Sequence, residues 1–195
     1  MNSRDIDRAL RGDAHCSRYF EGVYSYEEMV RRFACSDDDV KMYVFNTHPS
    51  LKPGEHWIAV VTRGRVAYYF DSFGRHPDVY AALANEFRLQ CRRVYYNNTL
   101  LQNLSSTACG DYCVLFCLLS ARGWSLQRFV NWLSSFDLSE TRDHTLRRLL
   151  IEMYGDDFHS SYRQNRRGLV GVDKLHNVVG LRAIGERCDY DKKIK

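Results

Sequence analysis

Two β-rich runs joined by a glycine-containing turn constrain the fold of this chain most. The first run is His56–Thr62, the second is Val66–Asp71, and Arg63-Gly64-Arg65 separates them. Both runs are rich in valine, tyrosine and other residues that favour strands, and so short a connection joins neighbouring antiparallel strands. The sequence therefore predicts a β-hairpin, and with it a sheet against which other elements pack.

Helical signals lie on both sides of the hairpin. A capping box at Ser25-Tyr26-Glu27-Glu28 begins a helix predicted to reach Ala34, and Pro77 opens another that ends near Leu89. The run from Cys109 to Arg122 is apolar on most sides and stops at Gly123, which is typical of a buried helix. Shorter signals predict helices at 4–10, 126–136 and 140–154, and strands at 40–46 and 92–96.

Composition is that of a folded chain with free thiols. The 195 residues are 45% hydrophobic and 13% aromatic, which is enough to bury a core. No run of about 18 apolar residues occurs, and residues 1–11 are polar and charged, so we expect neither a membrane span nor export. The seven cysteines, an odd number, indicate free thiols in a reducing compartment, and the absence of a Cys-x-x-Cys pair argues against a metal site.

The positive charge is concentrated at the end of the chain. The formal net charge is +4, but residues 163–195 hold nine Lys or Arg and four Asp or Glu, a net +5, and the remainder nets −1. We therefore divide the chain into a body, 1–162, and a basic tail, 163–195, which we expect to be exposed or mobile. Such a tail serves solubility as readily as it binds polyanions.

One cysteine lies where a nucleophile is expected. The polar loop 97–108 enters the predicted buried helix at Cys109, and the N–H groups and dipole of a helix start favour a thiolate and can hold an oxyanion. Gly110 would let the backbone approach a substrate closely. Cys109, Cys113 and Cys117 also form a stripe at helical spacing, and the simpler interpretation makes them core residues. We adopt that interpretation for Cys113 and Cys117.

The hairpin supplies a candidate base and a candidate acid. His56 begins the first strand and Asp71 ends the second, and in an antiparallel hairpin these ends meet. A carboxylate beside an imidazole fixes its orientation and stabilises its charged form, as a catalytic triad requires. His56 could equally be a polar strand end and Asp71 a turn residue. Gln102, seven residues before Cys109, is either an oxyanion donor or a solvated loop residue.

Several motifs together resemble the adenovirus protease (adenain) family of cysteine peptidases. In chain order they are Tyr19-Phe20-Glu21-Gly22, Asn46-Thr47, Gly54-Glu55-His56-Trp57, Tyr69-Phe70-Asp71-Ser72-Phe73-Gly74, and Gln102 with Ala108-Cys109-Gly110. The order His, acid, Cys fits that family and the related proteases of ubiquitin-like proteins. The resemblance covers residues 15–120.

The resemblance implies a fold and a set of roles. The fold is α+β, a mixed β-sheet flanked by helices, with the nucleophile at the N-terminus of a buried helix. Cys109 would attack the scissile carbonyl, His56 would move the proton, and Asp71 would orient His56. Gln102 and the N–H of Cys109 would form the oxyanion hole, and Trp57 would support the surroundings of the imidazole.

The resemblance also implies partners. Proteases of that family mature virion precursor proteins, and a short disulfide-bonded peptide and DNA activate them, while the chemistry itself needs no cofactor. Cys91 reproduces the spacing of the peptide-binding cysteine to the oxyanion glutamine, although it could simply end a helix. Residues 180–188 loosely resemble the activating peptide, and chance similarity in a basic tail is the alternative.

These observations lead to an expected function and two alternatives. We expect a monomeric cysteine endopeptidase of an adenovirus-like virus or a related mobile element, located in the virion and the host nucleus. The first alternative is a protease that processes or deconjugates ubiquitin-like modifiers. The second is a catalytically inactive, DNA-binding virion protein, which would lack a hyper-reactive cysteine.

Overall fold

The computed structural model describes residues 1–48, 56–136 and 139–154, which form an α+β fold with a five-stranded mixed sheet. The strands are β1 (Phe20–Tyr24), β2 (Val40–Asn46), β3 (Trp57–Arg63), β4 (Val66–Phe70) and β5 (Arg93–Tyr96). The helices are α1 (Ser3–Gly12), α2 (Tyr26–Arg32), α3 (Ala81–Gln90), α4 (Cys109–Ala121), α5 (Leu126–Ser134) and α6 (Ser139–Tyr154). The predicted fold class, a mixed sheet flanked by helices, is confirmed.

The strands lie in the sheet in the order in which they occur along the chain. β2, β3 and β4 are antiparallel neighbours, and parallel pairs form both edges, β1 with β2 and β4 with β5. Parallel neighbours need a crossover, and α2 and α3 provide the two crossovers. The predicted hairpin is β3 with β4, and its turn contains Gly64 at a φ of +53°, a conformation that favours glycine.

Apolar layers cover both faces of the sheet. The side chains of β3 alternate, so that Ala59 and Val61 pack with α1, α4, α5 and α6, and Ile58 and Val60 pack with α2 and α3. Because both faces are covered, β3 is buried along almost its whole length. All residues of Cys109–Ser120 in α4 are buried as well. The prediction of a buried helix at this point is confirmed.

Local details differ from the sequence prediction. β1 was not expected, because Gly22 interrupts its apolar pattern and glycine is unfavourable inside a strand. Pro77 opens a short 3-10 turn, Pro77–Val79, and the α-helix begins only at Ala81. The capping box is present, since the carboxylate of Glu28 accepts the N–H of Ser25 at 3.0 Å.

Some expectations concern residues beyond the described ranges. The basic tail 163–195, with the peptide-like run 180–188, lies outside them, and so do Gly54 and Glu55 of the histidine motif. Within the described ranges, no helix is long and apolar enough to cross a membrane.

Candidate active site

The open end of the hairpin holds the predicted base and acid in direct contact. His56 immediately precedes β3 and Asp71 immediately follows β4. Nε2 of His56 lies 2.8 Å from Oδ1 of Asp71, and both side chains are almost wholly buried. An ionised carboxylate only accepts hydrogen bonds, so Nε2 donates and Nδ1 is the acceptor nitrogen of the neutral ring. Asp71 therefore fixes both the orientation and the tautomer of His56.

Both oxygens of the Asp71 carboxylate have further partners. Oδ1 accepts the backbone N–H of Phe73 at 2.8 Å, and Oδ2 accepts the hydroxyls of Tyr69 and Tyr80 at 3.2 and 3.3 Å. Asn97 holds the backbone of Asp71, because its Oδ1 accepts the N–H and its Nδ2 donates to the carbonyl. Burial and the nearby Asp71 raise the pKa of Tyr80 to about 12, so its hydroxyl remains a donor at neutral pH.

The thiol of Cys109 lies at the start of α4, beside the imidazole. Cys109 is the first residue of α4 and is 6% exposed. The N–H groups in the first turn of a helix have no partner within the helix and can face an anion. Asp71 occupies Nε2 of His56, so Nδ1 is the ring nitrogen that remains to interact with the thiol of Cys109.

The surroundings of His56 favour its protonated form. Burial lowers the pKa of His56, but the interactions with Asp71 and Cys109 raise it more, so that the pKa rises to about 9. An imidazolium beside a thiol stabilises the thiolate that acts as nucleophile. The ring of Phe73 stacks on the imidazole with centroids 4.6 Å apart and covers one of its faces.

Gln102 is buried in the loop that leads to α4. Its side chain is 1% exposed, so the interpretation as a solvated loop residue does not hold. Nε2 donates to the carbonyl of Ser106 at 2.8 Å, and Oε1 accepts the hydroxyl of Ser72 at 2.7 Å. The amide nitrogen carries a second N–H, and a donor of this kind together with the N–H of Cys109 suits a developing oxyanion.

Two other predicted residues have surroundings that the sequence did not indicate. Trp57 is buried in the apolar layer that contains α4, and the ring stacked on His56 is that of Phe73. A Cβ atom at Gly110 would come within 3.0 Å of the side chain of Met1 and within 3.4 Å of Ile6. Because Gly110 has no side chain, Met1 and Ile6 at the start of the chain can pack closely against α4.

The other two cysteines of α4 are core residues. Cys113 and Cys117 are fully buried, and burial raises the pKa of both thiols well above the usual range. A protonated, inaccessible thiol does not act as a nucleophile. Cys109 differs from them in its position at the helix start and in its interaction with His56.

Cys91 lies next to a second thiol. It follows α3, is partly exposed, and its thiol is hydrogen-bonded with that of Cys35, which follows α2. The thiol of Cys35 also donates to the carbonyl of Gly64 at 3.3 Å. Burial, with the contact to Cys35, raises the pKa of Cys91, so the thiol is protonated at neutral pH. A peptide that docked at Cys91 would meet a thiol that already has an internal neighbour.

Sequence reasoning missed most of the residues that hold the acid in place. Phe73, whose backbone N–H donates to Asp71, lies two residues after it in the chain, and this proximity is the signal that could have found it. Tyr80 and Asn97 contact Asp71 across separations of 9 and 26 residues. These two contacts depend on how the turn after β4 packs against other segments, which no local pattern reveals.

A cavity of about 430 Å³ opens beside the start of α4. The loop 103–108, which ends next to Cys109, forms one wall, and Asp143, His144 and Arg147 of α6 lie on the other side. Cavities of this size are typical of ligand sites. The cavity therefore lies against the loop that precedes Cys109.

The described residues thus define an α+β protein in which a thiol, an imidazole and a carboxylate follow one another at the junction of a sheet and a helix. No protein-family model and no curated protein matches the chain. Among solved structures it is similar to the crystal structure of a selenomethionine-labelled protease of ASFV (African swine fever virus), with a TM-score of 0.47 and 19% identity. The match covers 75% of this chain and 66%, just under two thirds, of that one.

Proposed function

We propose that this chain is a cysteine endopeptidase with Cys109 as nucleophile, His56 as general base and Asp71 as the group that orients His56. The observation that carries the proposal is the position of His56, which interacts with Asp71 through Nε2 and with the thiol at the start of α4. Three side chains in this order are the arrangement that nucleophilic catalysis by a thiol requires.

The proposed reaction proceeds through an acyl-enzyme. The thiol proton of Cys109 first moves to Nδ1 of His56, and Sγ of the resulting thiolate attacks the scissile carbonyl. The N–H of Cys109 and the second N–H of Gln102 donate to the oxyanion of the tetrahedral intermediate. His56 then protonates the leaving amine, and it later activates the water that hydrolyses the thioester.

Single substitutions test the proposal. We expect Cys109→Ala and His56→Ala each to lower kcat/KM on a cleaved peptide by at least about a thousandfold, since loss of a triad member removes several orders of magnitude of rate. Cys113→Ala is the matched control, because it removes a thiol one helical turn away that is fully buried. A value within tenfold of wild type for either of the first two variants would contradict the assignment.

Thiol labelling separates this proposal from an inactive, DNA-binding virion protein. A Cys109 thiolate paired with the imidazolium of His56 should react with iodoacetamide at neutral pH faster than Cys91, whose raised pKa keeps its thiol protonated. Mass spectrometry of the labelled peptides identifies the modified residue. Labelling of Cys109 that is no faster than labelling of Cys91 would support the inactive protein instead.

We further propose that the substrates are virion precursor proteins, with DNA and a short peptide as activators. The motifs around His56, Asp71 and Cys109, which resemble those of the adenovirus protease family, support this substrate class. A panel of virion-type peptides and of precursors of ubiquitin-like modifiers tests it. If only the modifier precursors are cleaved, the substrates are ubiquitin-like modifiers and not virion precursor proteins.

A further inference from the structure

The hydroxyl of Ser72 has no part in the proposed reaction, yet it lies within the site. Ser72 is fully buried and immediately follows Asp71. We propose that Ser72 is a positioning residue, which holds the amide of Gln102 in the orientation that directs its nitrogen toward the oxyanion. This inference rests on the proposed peptidase function and adds a residue to which that function assigns no role.

Hydrogen bonds at both ends of the amide determine its orientation. The carbonyl of Ser106 can only accept, so the end of Gln102 that lies 2.8 Å from it must be the nitrogen. The opposite end is then Oε1, and the hydroxyl of Ser72 donates to it at 2.7 Å. The backbone carbonyl of Ser72 also accepts the N–H groups of Leu101 and Gln102, at 2.9 and 3.0 Å. Ser72 therefore holds Gln102 through its main chain and its side chain.

Loss of the hydroxyl would leave a buried acceptor without its donor. Gln102 is 1% exposed, so water does not readily replace Ser72 at Oε1. The amide would then turn toward other donors, and its nitrogen would leave the position in which one N–H bonds Ser106 and the other serves the oxyanion. Since the oxyanion exists only in the intermediate and its transition states, the loss falls on kcat rather than on KM.

The adjacent residues Asp71 and Ser72 thereby position both the base and the oxyanion donor of the proposed reaction. The side chain of Asp71 orients the base, and the side chain of Ser72 orients the oxyanion donor. The two adjacent side chains thus reach the hairpin end, through His56, and the loop before α4, through Gln102.

The test compares Ser72→Ala with Gln102→Ala in the full chain. Removal of one oxyanion donor lowers kcat by about 10²–10³, and we expect Ser72→Ala to lower kcat by about tenfold to a hundredfold with KM changed less than threefold. Ser72→Cys, which keeps a weak donor of similar shape, should recover part of the rate. Ser120→Ala, which changes a buried serine near the end of α4, is the control for loss of a buried hydroxyl.

A double-mutant cycle distinguishes positioning from a general structural role. If Ser72 acts through Gln102, the variant with both substitutions is no slower than Gln102→Ala alone within about twofold, because coupled residues are not additive. Binding of a peptide aldehyde, whose adduct with Cys109 carries the oxyanion, should weaken by the same factor as kcat. The inference would be overturned if the two substitutions lowered kcat independently, so that their factors multiplied in the double variant. A kcat for Ser72→Ala within twofold of wild type would overturn it as well. Activity that survives Cys109→Ala would instead overturn the proposed function.

Discussion

At the scale of single residues, the site is organised around one carboxylate. Asp71 accepts hydrogen bonds from the imidazole of His56, from a backbone N–H and from two tyrosine hydroxyls. A carboxylate that accepts this many hydrogen bonds is held in one orientation, so the positive charge on His56 has a fixed partner. The raised pKa of His56 follows from this arrangement more than from any feature of the histidine itself.

The raised pKa of His56 predicts the pH dependence of activity. In the proposed reaction, His56 protonates the leaving amine as an imidazolium, which is present at neutral pH and is lost as the pH rises through about 9. We therefore expect kcat/KM to fall on the alkaline side with an apparent pKa near 9. Asp71→Asn removes a negative charge that raises this pKa, so the alkaline limb should move down toward the usual value for histidine, about 6.5.

A pH–rate profile measures this shift, and Asp78→Asn is its control. Asp78 is an exposed carboxylate in the turn that follows the site, and it pairs with Arg88 rather than with His56. Its substitution should leave the alkaline limb where it is in the wild type. Superimposable profiles for Asp71→Asn and wild type would show that Asp71 does not set the pKa of the base.

The thiol pair of Cys35 and Cys91 gives a second prediction at this scale. Burial is the main cause of the raised pKa of Cys91, and the neighbouring thiol of Cys35 raises it further. Cys35→Ala removes the second cause, so Cys91 should react faster with iodoacetamide at neutral pH, by up to about tenfold for each unit by which its pKa falls. Quantitative mass spectrometry measures the rate, with Cys16→Ala as control. An unchanged rate would mean that burial alone limits Cys91.

At the scale of elements, local sequence patterns predicted the elements whose formation depends on residues close together in the chain. The hairpin of β3 and β4 was predictable because its turn and its two strands are contiguous, and it brought His56 and Asp71 together. α4 was predictable because an apolar run ends at Gly123. The link between Ser72 and Gln102 was not predictable, because it joins residues 30 positions apart through the packing of two irregular segments.

The turn after β4 predicts an effect of Gly74→Ala on stability and activity. Gly74 has a φ of +67°, its N–H donates to the carbonyl of Asp71 at 2.8 Å, and a Cβ would lie 2.7 Å from the backbone of Thr99. Gly123 has a φ of +87°, and a Cβ added to it would have no neighbour within 4 Å, so Gly123→Ala isolates the cost of the backbone conformation. That cost is about 1–2 kcal/mol for an L-residue.

Urea unfolding of the two variants separates the two effects. Gly74→Ala should lower the free energy of unfolding by more than Gly123→Ala does, because the added methyl group also displaces the backbone of Thr99. It should reduce kcat as well, since the turn carries Asp71 and Ser72. Equal losses of stability, with full activity, would show that the segment at Thr99 moves aside without disturbing the site.

At the scale of the whole molecule, the site forms where two layers meet. His56 and Asp71 come from one end of the sheet, and Cys109 comes from the helix that packs on the face of that sheet. α4 and β3 are in direct contact, so the distance between thiol and imidazole depends on core packing rather than on a loop. A local sequence pattern identifies the three residues as candidates but does not position the helix start against the end of the hairpin.

The distribution of charge over the whole chain predicts salt-dependent binding to DNA. Residues 163–195 carry a net +5 and the rest of the chain a net −1, so we expect the tail to bind the phosphates. Each neutralised phosphate contributes a slope of about −0.9 to the dependence of log K on log salt for duplex DNA. Replacing Arg163, Arg166 and Arg167 with glutamine should make the slope shallower by about 0.9 for each phosphate that is no longer neutralised.

Fluorescence anisotropy with a labelled duplex, between about 50 and 200 mM salt, measures this slope. Replacing Arg4 and Arg8 with glutamine is the control, because both are exposed on α1 and belong to the part of the chain without excess positive charge. The control should keep the wild-type slope, while the tail variant should bind all sequences more weakly, since interactions with phosphates carry no base specificity. A tail variant with the wild-type slope would assign any DNA binding to the folded body, and the basic tail would then serve solubility alone.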